Sequence, residues 1–231
     1  MRTSQRDASR SAATARDRED GVESSSRRTL PLLIAAVLLL GVGESMAGPY
    51  LVLFGAQRAH LSPFAIGVFV TLVAVSGIAV SSLLGRQYDR APSRRPCLLA
   101  ISCSAAGYAL LTTTTAYALL LTIAATLLGT GTAAFAQLFA LGRGRVDGAG
   151  GLAALRGTAA LRSVWSLAWA IGPLIGAAVL ARYGFTGLFL ATASGFALVA
   201  VPLAAAGRPR PPSARRTTGA ENAPGSGSML A

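Results

Sequence analysis

The sequence has no lysine, one histidine, two cysteines and nine acidic residues in 231, and each shortage removes a class of function. His60 stands alone in a short polar stretch. Cys97 and Cys103 lie six apart, on different faces of a helix, so neither a metal site nor a disulfide framework is expected. No lysine or histidine falls inside an apolar segment, so no nucleophile and base pair can be assembled there. Ser194-Gly195 resembles an intramembrane serine protease element, but the histidine it would need is missing. The chain is therefore expected to be neither an enzyme nor the holder of a cofactor. Charge is scarce as well: 13% of residues are charged and 52% hydrophobic, with a mean hydropathy of +0.54, too apolar for an ordinary soluble domain of this size. The net charge of +12 does not mark a nucleic-acid binder, because the arginines sit between apolar runs instead of interleaving with aromatics on one surface.

What is present is a series of long hydrophobic runs. Residues 1–29 carry seven Arg and five acidic residues among Ser, Ala and Thr and read as a disordered tail. The Ser26-Arg27-Arg28-Thr29-Leu30 stretch has the form of a twin-arginine export signal, but the full-length apolar segments that follow favour a multi-pass protein. Leu30 to Phe54 contains one charge, Glu44, and Pro63 to Leu84 none; each exceeds the roughly 20 residues needed to cross a bilayer. Cys97 to Leu141 is uncharged over 45 residues. As one helix it would run about 67 Å, so it must fold back. Thr112 to Thr115, four β-branched residues in a row, mark the turn between a third helix from Cys97 and a fourth from Ala116. A glycine-rich link, Gly142 to Gly151, precedes a fifth helix beginning near Ala153, and a turn at Tyr183-Gly184 separates it from a sixth that runs to about Ala206. The reading is an all-α membrane protein: six transmembrane helices over 30–206, between the tail and a linker-like disordered segment, 207–231.

Orientation follows from arginine counts. The short loops with Arg86, Arg90, Arg94, Arg95, Arg143, Arg145 and Arg156 face one side, and only Arg58 and Arg182 the other. Both termini are expected in the cytoplasm of a cell whose inner membrane holds the protein. Gly41-Val42-Gly43 and Gly129-Thr130-Gly131, 88 residues apart, fit two inverted three-helix repeats.

Glu44 is the one acidic residue inside an apolar segment, where an ionisable group is costly unless it faces a cavity or partner. It can exchange a proton during transport or hydrogen-bond a polar substrate; the structural alternative is a protonated interhelical bond. Gly41, Gly43, Gly48 and Pro49 around it allow a bend, or close helix packing. Arg162, Ser166, Trp169 and Pro173 fall on one face of the fifth helix, with Trp165 and Gly176 adjoining. Indole faces with Arg and Ser suit a sugar, although Trp and Arg also anchor helices at the interface. Gln137 shares a face of the fourth helix with Thr130 and either lines a cavity or bridges helices.

Gly85-Arg86-Gln87-Tyr88-Asp89-Arg90 with Arg94-Arg95 resembles the signature between helices 2 and 3 of the major facilitator superfamily, with Pro92 in place of the usual glycine. Gly172-Pro173-Leu174-Ile175-Gly176 is similar to the Gly-Pro element of that superfamily's exporters, with Ala168 and Ala177 where glycines are usual. Gln137-Leu138-Phe139-Ala140-Leu141, Leu161-Arg162-Ser163, Ser166 to Pro173 and Tyr183-Gly184-Phe185-Thr186 resemble the sugar efflux transporter family, over about Arg27 to Ala206. The resemblance implies secondary export of sugars or sugar-like compounds in exchange for protons, with Arg162 and Gln137 in the central cavity and Gly85, Asp89, Arg90 and Arg94 at a cytoplasmic gate. It covers only the N-terminal six-helix half, so a second half is expected as a homodimer partner or separate polypeptide. Where the superfamily often has an arginine before the Gly-x-Gly of helix 4, this chain has Ala125, which leaves Glu44 as the coupling candidate. Competing readings are a truncated half that does not transport or serves as a membrane interaction partner, and multidrug efflux.

Overall fold

The computed structural model describes residues 31–90, 93–146 and 151–205, and these form helices joined by short turns, with no strand among the described residues. The expected tails, 1–29 and 207–231, lie outside them.

Helix α1 spans 31–47 and α2 Tyr50–Gln57, with a turn at Gly48-Pro49 between them. Pro49 has no N–H to continue the ladder, and the last regular bond before it runs from the Gly48 N–H to the Glu44 carbonyl at 3.0 Å. The two pieces form one apolar stretch, Pro31–Gln57, long enough to cross a membrane. Helix α3, Pro63–Arg90, overruns the expected end at Leu84. The gate-like signature is thus not a loop but the last turns of a helix, because Arg86, Gln87 and Tyr88 are adequate helix formers and nothing breaks the chain before Pro92.

Helix α4, Arg95–Leu111, stops at the threonine run as expected. The Thr112 and Thr113 hydroxyls donate to the Ala109 and Leu110 carbonyls at 2.6 and 2.8 Å, capturing carbonyls that a further turn would have used. The return path is α5, Tyr117–Ile123, then one widened π turn, Ala124–Leu128, then α6, Gly129–Val146. The Ser76 hydroxyl of α3 lies 3.4 Å from the Ala124 carbonyl where the turn widens. Helix α6 carries Arg143 and Arg145 on its end, so the expected glycine-rich link is shorter than Gly142 to Gly151.

Helix α7, Gly151–Ala205, is broken at Gly184, whose φ of 65° and ψ of −170° belong to glycine. The first arm starts beside α6, with Leu161 under Gly142, and the second ends where the Arg94 guanidinium donates to the Leu203 carbonyl at 2.9 Å. In between, Phe185 and Phe189 pack edge-on against Phe54 at 5.6 and 5.0 Å. The two arms are therefore antiparallel, as the Tyr183-Gly184 turn required. A Cβ at Gly184 would meet nothing within 4 Å, so Gly184→Ala isolates the backbone term. It should lower stability by about 1–3 kcal/mol in thermal unfolding, and an unchanged midpoint would mean the turn is not held in this geometry.

Close packing comes from small residues. Gly77 of α3 meets Thr132, Gly129 meets Ser76, Gly107 of α4 meets Leu128, and Gly131 meets Ser104. Without a hydrophobic drive between helices in lipid, such backbone approach is the main source of association. Both Gly-x-Gly pairs are packing positions, Gly41 against Ala168 and Trp165, and Gly43 against Phe196. Tyr108 and Phe196 stack at 5.8 Å between α4 and the second arm of α7. The outside is apolar, with Phe64, Ile78, Leu174 and Val201 exposed, as a lipid-facing surface requires. Four stretches are long and apolar enough to cross a membrane, the last comprising both arms of α7, and Arg95–Leu111 is a shorter apolar helix.

Candidate functional site

The site is built on the seam between α1 and the first arm of α7. Ser45 donates to the Gly41 carbonyl at 2.7 Å and lies 3.0 Å from the Ala168 carbonyl of α7. One turn on, the Tyr50 hydroxyl donates to the Pro173 carbonyl at 2.7 Å. Gly172 faces Ser45, and Gly176 faces the Met46 carbonyl and the Tyr50 ring. The Gly172, Pro173 and Gly176 element thus forms the docking groove for α1: the glycines remove the Cβ, and the Pro173 carbonyl accepts from Tyr50. Sequence reasoning missed Ser45 and Tyr50. Their signal was only that they flank Gly48-Pro49, where a broken ladder leaves backbone room for side-chain bonds.

Glu44 precedes Ser45 and is therefore turned about 100° from the docking seam. It is partly buried, makes no hydrogen bond or ion pair among the described residues, and lies within electrostatic reach of Tyr108.

A second group lies between α6 and α7. The rings of Phe135 and Trp165 are 4.0 Å apart, Phe135 and Phe139 5.6 Å, Trp165 and Trp169 6.1 Å, and the Arg162 guanidinium sits over Phe139 at 5.9 Å. Arg162, Ser166 and Trp169 share the exposed face of α7, with Trp169 44% exposed. The Ser166 hydroxyl turns back to the Arg162 carbonyl at 3.2 Å, so its lone pairs, not its proton, face outward. Phe135 and Phe139 were not anticipated. Their spacing of four beside the aromatic pair on α7 was the available signal.

Gln137 stands apart from this group. It lies two residues from each of those phenylalanines, on the opposite side of α6, and is 3% exposed. Its Oε1 has no hydrogen-bond partner, which leaves an acceptor uncompensated at a cost of about 1–3 kcal/mol. The structure thus brings Arg162, Ser166 and Trp169 together and places Glu44 and Gln137 elsewhere.

At the arginine-bearing end, Arg90 is exposed, Gly85 has open space where a Cβ would stand, and Arg94 binds the Leu203 carbonyl. The Tyr88 hydroxyl reaches the Ala140 carbonyl at 3.4 Å and ties α3 to α6. The Asp89 side chain lies outside the described residues. Cys97 and Cys103 are both free, and among the described residues no cluster of metal-ligating side chains occurs.

The chain matches the sequence model of the Major Facilitator Superfamily over residues 33–229. It is 39% identical over 172 residues to a Deinococcus radiodurans protein named "Putative sugar efflux transporter", covering 74% of this chain and 44% of that protein. It is 34% identical over 167 residues to Sugar efflux transporter A of Escherichia coli, covering 72% and 42%, and 31% identical over 176 residues to Sugar efflux transporter C of the same species, covering 73% and 44%. The chain spans less than half the length of these curated relatives. No solved structure matches it. Apolar helices of membrane-crossing length, a Gly-Pro groove that seats α1 on the first arm of α7, and a match over most of its residues together make this chain a membrane protein that belongs to the Major Facilitator Superfamily.

Proposed function

We propose that the chain is one six-helix half of a secondary transporter that exports sugars or sugar-like molecules in exchange for protons, with its arginine-bearing end and both termini in the cytoplasm. The observation that carries this reading is the α6–α7 group: an exposed guanidinium held over one ring and an indole open on the same face. Ring faces stack on the C–H surfaces of a pyranose while Arg162 and the lone pairs of Ser166 take its hydroxyls. The relatives' names point to the same substrate class.

Within this reading, α1 with α2, α3, α4, the α5 to α6 rod and the two arms of α7 are six crossings. They form two inverted three-helix units that supply one wall of a path whose other wall is a second half. Gln137, buried on the far side of α6, stays outside this binding face, and Glu44 carries the proton. Gly85, Asp89, Arg90 and Arg94 work at the cytoplasmic gate.

Vesicles containing the chain, alone and together with a second half, should exchange labelled sugar under a pH gradient, and the assembly should survive mild detergent as a dimer. A monodisperse, inactive monomer under both conditions would overturn the reading in favour of a non-transporting half. Arg162→Ala should weaken sugar binding roughly tenfold, the size of one hydrogen bond to a charged group. Unaltered affinity would leave Arg162 an anchor of the helix.

A further inference from the structure

Away from that group, a cavity of about 150 Å³ opens at the opposite end of the bundle from Arg94, where α2, the α4 to α5 corner and the second arm of α7 meet. Its walls are Arg58, the four threonines Thr112 to Thr115, and Thr186; its floor is the aromatic group of Phe54, Phe185 and Phe189. We propose that this cavity binds a phosphate-type oxyanion, the headgroup of a phospholipid or a soluble phosphate ester.

The direction of the hydrogen bonds decides the ligand class. Thr112 and Thr113 have already given their protons to α4 carbonyls. Thr114 accepts the Ala116 N–H at 3.1 Å, which leaves its own O–H free to donate. The Thr115 and Thr186 hydroxyls and the Arg58 guanidinium make no hydrogen bond among the described residues. The cavity therefore offers a guanidinium fork and three hydroxyl donors.

No counter-charge answers them. Residues 58–62, 112–116 and 182–186, which make this end of the bundle, contain no Asp or Glu. The other arginine here, Arg182, is engaged with Tyr183, its Nε 3.3 Å from the hydroxyl and its guanidinium 5.8 Å from the ring centre. Neither arginine has a counter-charge, and Arg58 is the one that lines the cavity, an exposed guanidinium beside the aromatic floor. A neutral polyol would fill the hydroxyl sites and leave that charge unanswered. A tetrahedral oxyanion accepts from the fork and the hydroxyls together. The space exceeds a bare phosphate group and leaves room for an ester substituent. Arg58 closes a membrane-length stretch, at the depth where headgroup phosphates lie, so a lipid and a soluble ester both have access.

The full chain, purified in detergent free of phospholipid, is titrated with glycerol phosphate and with glucose and followed by thermal shift. In parallel, protein from phosphatidylglycerol vesicles is examined by native mass spectrometry for retained lipid. The result expected is saturable, Arg58-dependent stabilisation by glycerol phosphate, or retention of one lipid, or both. Arg58→Gln should weaken it roughly tenfold, and Thr115→Val with Thr186→Val should weaken it as well. Arg182→Gln, outside the cavity, should leave binding unchanged and controls for folding. Ester binding without lipid retention assigns a soluble ligand; lipid retention alone assigns a headgroup. Phosphate binding indifferent to Arg58, or glucose binding that depends on Arg58 as strongly, would overturn the proposal.

Discussion

Gly176→Ala should destabilise the bundle by about 2–4 kcal/mol, although it adds a single methyl to a helix. The new Cβ would fall on the Met46 carbonyl oxygen and 2.8 Å from the Tyr50 ring. The obstacle is backbone, so no rotamer change relieves it, and α1 must withdraw from α7. Overpacking of this kind takes about 1–3 kcal/mol, and withdrawal also forfeits the bond from Tyr50 to the Pro173 carbonyl, worth about 1 kcal/mol. Gly195→Ala, on the second arm of the same helix, is the control. A Cβ there meets nothing within 4 Å, and alanine's better helix propensity should raise stability by up to about 1 kcal/mol. Unfolding midpoints in detergent would show the two variants moving in opposite directions. Shifts of the same sign and size would mean that α1 does not seat in this groove.

The second large effect concerns Glu44. Glutamine is the uncharged counterpart of a protonated glutamate, so Glu44→Gln should hold the site permanently in its proton-loaded form. Sugar driven uphill by a pH gradient should then fall to background, while exchange of labelled for unlabelled sugar at equal pH on both sides persists. The two assays separate coupling from binding, which a simple loss of activity would not. No cation pairs with Glu44 among the described residues, so the substitution breaks no ion pair there. Gradient-driven uptake equal to that of the native protein would remove Glu44 from the coupling role.

Much of this architecture was legible because the membrane makes few demands and makes them strictly. The length of each uncharged run set the rods. The threonine run and Gly184 set two reversals, because β-branched residues and a positive φ are local matters written in the residues themselves. What stayed hidden depends on neighbours distant in sequence. Nothing in Ala124-Ala-Thr-Leu-Leu128 announces a widened turn; it sits where Ser76 of another helix reaches the Ala124 carbonyl. The run from Gly85 to Arg90 reads as a loop because it is charged, yet charge at a helix end meeting water is no obstacle to helix. At the site, the face shared by Arg162, Ser166 and Trp169 followed from helical spacing alone. That Gln137 would be turned away from them, with its oxygen orphaned, required knowing how α6 is rotated, which its neighbours α3 and α4 decide.

The aromatic group between α6 and α7 also gives the molecule a built-in optical probe. Trp165 and Trp169 are the only two tryptophans in the chain, and they adjoin each other in that group, one against Phe135 and the other open. Intrinsic emission therefore reports a single location. A ligand that stacks on the open indole should shift or quench it directly, with no label attached, and Trp169→Phe would leave a reference signal from the partly buried Trp165 alone.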